Sequence, residues 1–148
     1  MLTHFLSAGD LISAQIQAKL PAQFSKVAHA ADLAGVKDSL QVTPACHVLL
    51  QNIKLASQIR MGDAEAWIQE WLTVVVTRSA QDAKTGAGAM ALAGPLIGAL
   101  LTPGVLAGWV MTEGVMPLEA INPPAPLLTQ AGTLYVPLAW RVTITNWG

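Results

Sequence analysis

Charge is what this sequence has least of: Asp, Glu, Lys and Arg make up 11% of its 148 residues, against about 25% in an average soluble domain. Hydrophobic residues reach 53%, and a chain so composed is expected to cover part of its surface with partners. The eight Lys and Arg residues are scattered from Lys19 to Arg141 and the net charge is -1, which leaves no electrostatic footprint for tight nucleic-acid binding. Cysteine is nearly absent. Cys46 stands alone, so no intrachain disulfide can form and a reducing compartment is expected. The opening segment MLTHFLSAGD lacks a basic stretch and meets Asp10 early, which argues against a secretory signal peptide and for the cytoplasm. The length suits one domain spanning residues 1–148.

Catalytic signatures are missing too. Cys46 and His47 resemble a nucleophile beside its base, but neighbours in a strand point to opposite faces and cannot bond each other. His4, His29 and His47 show no metal-ligand spacing with one another or with Cys46. Gly86-x-Gly88-x-x-Ala91 fits a dinucleotide fingerprint, yet polar residues separate it from the preceding strand, so the tight turn is lost, and Pro95 would interrupt the receiving helix. No GxSxG, phosphate-binding loop or carboxylate pair at helical spacing occurs, and Glu65 and Glu70 fall on opposite strand faces. No catalytic residue, cofactor or metal is expected.

What the chain does have is an uncharged run from Thr85 to Thr112. It is long enough to cross a bilayer. Pro95, Pro103 and six glycines dilute its bulk, however, so burial within protein is the preferred reading and a small membrane-inserted subunit the alternative. The best helical stretch is Met90 to Leu101, with Leu96, Ile97, Leu100 and Leu101 as its apolar stripe and Gly94-Pro95 able to start or kink it.

Elsewhere, the spacing of Leu11, Ile12, Ile16 and Leu20 predicts a helix from Ser7 or Asp10 to about Leu20, stopped by Pro21. Ser25 to Ala30 reads as a short strand. Cys46 to Leu55 and Glu65 to Arg78 read as a long hairpin turning at Gly62-Asp63. In its second arm Ile68, Leu72, Val74 and Val76 share the expected core face, and Trp67, Trp71 and Val75 the other. A strand is expected from Val115 to Ile121. Thr133 to Thr145 reads as a half-buried strand with Leu134, Val136, Leu138, Trp140, Val142 and Ile144 on its core face, at an edge or bulged near Pro137. The fold class is therefore α+β, a mainly antiparallel sheet of four to five strands with two principal helices packed on it. Strands this long outrun a small monomer, which points to pairing between chains. Trp67 and Trp71 are candidate interface anchors, with Arg78, Tyr135 and Arg141 as further candidates; alternatively, both tryptophans pack beneath the N-terminal helix.

The segments EWLTVVVTRSAQ (Glu70 to Gln81), AGPLIGALLTPGVLAGW (Ala93 to Trp109) and LYVPLAWRVTITNW (Leu134 to Trp147), in this order after an N-terminal helix, resemble the tail terminator or tail-completion proteins of long-tailed bacteriophages. The resemblance covers most of the chain. It implies a small α/β sandwich that forms a hexameric ring, caps the tail tube, stops its polymerisation and offers its other face to the head-tail connector protein. The implied partners are thus further copies of itself, the tail tube protein and the connector. DNA at most passes through the ring without being read in sequence, and no membrane is involved. The implied location is the host cytoplasm during assembly and then the neck end of the virion tail. Another neck or minor tail component is the alternative within the same class. The resemblance carries no catalytic residue.

Overall fold

The computed structural model describes residues 7–30, 43–55, 66–78, 87–101, 118–128 and 132–145. In chain order the elements are α1 (Ser7–Lys19), β1 (Lys26–His29), β2 (Ala45–Leu55), β3 (Ala66–Arg78), α2 (Ala87–Leu101), β4 (Glu119–Ile121), β5 (Leu127–Leu128) and β6 (Thr133–Thr145). The strands form one six-stranded sheet in the order β1-β2-β3-β6-β4, with β5 also paired to β6. Among the described strands only β1 and β2 run parallel; the other pairings are antiparallel. This is the expected α+β class, with one strand more than expected, because Leu127–Leu128 carries no alternation to betray it.

Both helices pack on one face of the sheet. In α1 the residues Ala8, Ile12 and Ile16, four apart, are all buried, and Leu20 extends the row. Asp10 in the first turn and Lys19 in the last suit the helix dipole. Pro21 follows the last helical hydrogen bond, donated by the Leu20 amide to the Ile16 carbonyl at 2.8 Å. In α2 the buried row is Ala89, Ala93, Leu96 and Leu100. Ile97, expected in the apolar stripe, faces outward instead. Pro95 sits inside α2, on the exposed side with Gly94, where water can satisfy the backbone carbonyl whose partner proline removes. The helices are tied by the Gln15 side chain, which donates to the Ala99 carbonyl at 3.1 Å. That carbonyl belongs to the last turn of α2, where no helical partner remains.

The sequence reading of β3 placed Trp71 and Val75 away from the core; the structure places them in it. They join Cys46, Val48, Trp140, Val142 and Ile144 beneath α1 and α2. A Cβ at Gly9 would run into the Trp71 ring, so glycine lets α1 lie directly on the indole. The Trp71 Nε1 donates to Gln69 Oε1 at 3.0 Å and the Trp140 Nε1 to Thr73 Oγ1 at 2.8 Å, which pairs polar atoms within the buried layer. Ala45, Leu49, Leu72, Val74, Val76, Tyr135 and Ala139 form a second buried cluster on the opposite face, with Ala30 and Ile121 against it. The central strands are therefore buried on both sides, and β6 is more than half buried. Pro137 falls between the β6 residues paired to β4 (Ala139, Trp140, Arg141) and those paired to β5 (Leu134, Tyr135). Among the described strands it is thus locally at an edge, as a residue without an amide hydrogen requires. The expected turn at Gly62-Asp63, the start of the 115–121 strand and the rest of residues 102–117 lie outside the described residues.

Candidate assembly surface

Cys46 and His47 do part to opposite faces of β2. Cys46 lies in the helix-covered cluster, and burial pushes its thiol up to about 12, so no nucleophilic thiolate forms near neutral pH. Burial first, and then the nearby Lys26 charge, lowers the His47 pKa. Among the described residues no group of His, Cys, Asp and Glu is placed to hold a metal, and no helix is long and apolar enough to cross a membrane.

The surface is more informative than the interior. Residues Ala45 to Leu49 of β2 are buried, but Gln51 to Leu55 are all exposed. β1 pairs only with Ala45 to Val48, so beyond that point no described strand covers the outer edge of β2. A bulge at Gln51 shifts the register: Leu50 opposes Trp71, and Asn52 then opposes Glu70. The shift puts Ile53 and Leu55 on the helix side, 38% and 43% exposed, and Lys54 on the other side, where its Nζ meets Glu70 Oε1 at 2.8 Å. The residues Glu70, Arg141 and Glu119 oppose one another across β3, β6 and β4, and Arg141 Nη2 donates to Glu119 Oε2 at 2.9 Å. The second face thus changes from a buried apolar half to a charge-paired half at the Leu72/Glu70 boundary.

Two more apolar patches are open. On α2, Met90, Gly94, Pro95 and Ile97 are exposed, and the helix carries no charged residue at all. At the far edge of the sheet, Leu127 and Leu128 of β5 are exposed.

The five residues expected at an interface divide accordingly. Trp71 and Tyr135 are 5% and 3% exposed, on opposite faces of the sheet. Trp67 is half-buried opposite Leu55 and Ile144. Arg78 is exposed at the end of β3, and Arg141 is half-buried in its pair with Glu119. The structure does not bring the five into one patch. Sequence reasoning missed Ile53 and Leu55, although the alternation Ile53-Lys54-Leu55 after Asn52 was a visible signal.

Among the described residues, an uncharged helix face and a strand end with no described neighbour therefore leave apolar surface open. The model of the family described as "Phage tail terminator protein" matches residues 1–146, and the chain belongs to that family of non-enzymatic virion tail proteins. Among solved structures, a chain from the "Virion of native gene transfer agent (GTA) particle" is similar in fold. It is 17% identical, with a TM-score of 0.58, and the match covers 97% of this chain and 100% of that one. No curated protein matches.

Proposed function

We propose that residues 1–148 act as one domain that assembles into a hexameric ring on the finished end of the tail tube. One ring face binds the tube end; the other no longer offers the tube's stacking surface, so polymerisation stops and the head connector can dock. Family membership carries this reading. The uncharged outer face of α2 and the open end of β2 support it, because a ring subunit needs surfaces that are apolar until neighbours cover them. Trp67, Arg78 and Arg141 are the interface candidates with surface to offer. Trp71 and Tyr135 would act from behind, by holding the sheet in shape.

Electron microscopy of lysates from a phage lacking this gene tests the proposal. Tube protein should still polymerise, growth should pass its natural end, and abnormally long, headless tails should accumulate. Tails of normal length on complete particles would refute the reading. Normal-length tails detached from heads would instead assign the chain to another neck role.

A further inference from the structure

On the face away from the helices, charged side chains form a row that crosses the whole sheet. Glu119 of β4 opposes Arg141 of β6, Arg141 opposes Glu70 of β3, and Glu70 opposes Asn52 of β2, with Lys54 two residues further along β2 on the same face. Lys54 meets Glu70 at 2.8 Å and Arg141 meets Glu119 at 2.9 Å. From edge to edge the signs alternate, so the row ends in an anion on β4 and a cation on β2. Both ends are open. The side chains of Glu119 and Lys54 are 48% and 50% exposed, against 18% for Glu70 inside the row.

The two end residues also sit on strand edges that no described strand pairs. β1 stops opposite Val48, and β4 is paired to β6 on one side only. Such edges are templates for a further strand. Strand direction fits one to the other. β4 runs antiparallel to β6, β6 to β3 and β3 to β2, so β4 points opposite to β2. A second copy set beside the first in the same orientation therefore brings its β4 to β2 as an antiparallel neighbour, the pairing that dominates this sheet. The pleat agrees as well, because Asn52, Lys54 and Glu119 share one face.

We propose that copies of this chain join edge to edge, with residues 51–55 of β2 receiving β4 of the next copy and Lys54 pairing with that copy's Glu119. Set opposite Asn52, the incoming carboxylate stands diagonal to Lys54, as Glu70 does on the inner side, and a diagonal neighbour is within reach of a long side chain. One ammonium then bridges two carboxylates, and the alternation of sign continues from copy to copy. Like edges are the poorer fit, since they bring Lys54 towards Lys54 or Glu119 towards Glu119; unlike edges make a head-to-tail contact. The inference rests on the proposed self-assembly and names its junction.

The test is a charge swap read by sedimentation velocity of the full-length chain over a range of concentrations. Lys54→Glu and Glu119→Lys should each weaken assembly roughly ten-fold or more, because like charges brought together at an interface are strongly unfavourable. The chain carrying both substitutions should regain assembly. Within one chain β3 and β6 separate the two residues, so that recovery cannot come from an internal pair. An equimolar mixture of the two single variants should also assemble, since every junction between unlike variants is either native or swapped. Urea midpoints identify a variant that merely unfolds; Lys54→Gln and Glu119→Gln then take its place, with a smaller loss expected. Hydrogen exchange of the assembled wild-type chain should slow at residues 51–55 and 119–121. Single variants that assemble as the wild type does, or a double variant no better than the singles, would overturn this junction and leave self-assembly standing. A wild-type chain that stays monomeric at every concentration would overturn self-assembly itself, and the junction with it.

Discussion

Trp71 shows how much one side chain does for this fold. Its indole lies under α1, its Nε1 is bonded to Gln69, and it opposes Leu50 and Trp140 across the two neighbouring strands. Truncating a buried tryptophan usually costs about 3–5 kcal/mol, so Trp71→Ala should lower the urea midpoint of the isolated chain by a corresponding amount. Trp67→Ala, at a half-buried position, should cost clearly less in the same assay. His47 sets a pH dependence. Its folded pKa lies below the ordinary 6.5 because of burial and Lys26, so the native state binds this proton less readily than the unfolded chain does. The resulting stability is fully present above pH 6.5 and is lost as pH falls through the depressed folded value. The slope is at most about 1.4 kcal/mol per pH unit. Urea unfolding between pH 8 and 5 should show this decline, and His47→Leu should flatten it.

At the scale of elements, Gly9 separates helix propensity from packing. Alanine is the better helix former by roughly 1 kcal/mol, yet a Cβ at Gly9 meets the six-membered ring of Trp71. Gly9→Ala should therefore destabilise the protein. In a double-mutant cycle with Trp71→Phe, which removes part of that ring, the two effects should be strongly non-additive; simple additivity would show that the helix does not rest on the indole. Much at this scale was legible in the sequence. The bounds of α1, β2, β3 and β6 follow from Pro21, from the run Cys46 to Leu55 and from two long alternating stretches. The core face of β3 was not legible, because Trp71 and Val75 on one side and Leu72, Val74 and Val76 on the other are equally apolar, and a strand buried on both sides gives alternation no direction. The bulge at Gln51 was hidden for a related reason: it is set by the pairing with β3 and leaves no mark in composition. Helix α2 begins earlier than its bulky residues indicate, because its first turn, Ala87-Gly88-Ala89, carries no large apolar residue to mark a stripe. The shortage of charge pointed to open apolar surface, but the positions of the exposed patches on α2, β2 and β5 required the topology.

For the whole molecule, the topology gives the apolar patches a direction. Ile53 and Leu55 lie on the β2 side of the sheet, and Leu127 and Leu128 lie beyond β6 on the other. A two-fold dimer joins one patch to its own copy; a ring joins two different patches head to tail. Opposed edges suit the second arrangement, and the proposed ring then makes a specific demand on mixed variants. Leu55→Asp should disable one edge and Leu128→Asp the other, so neither variant alone should form rings when examined by light scattering and electron microscopy. Mixed in equal amounts, they should form pairs and stop there, because each pair contains one intact junction and leaves two disabled edges outward. Homodimers of either variant alone would show a contact between like surfaces. Rings from either variant alone would show that its mutated edge is not part of the junction, and would shift attention to the uncharged face of α2, where Met90→Asp is the corresponding substitution.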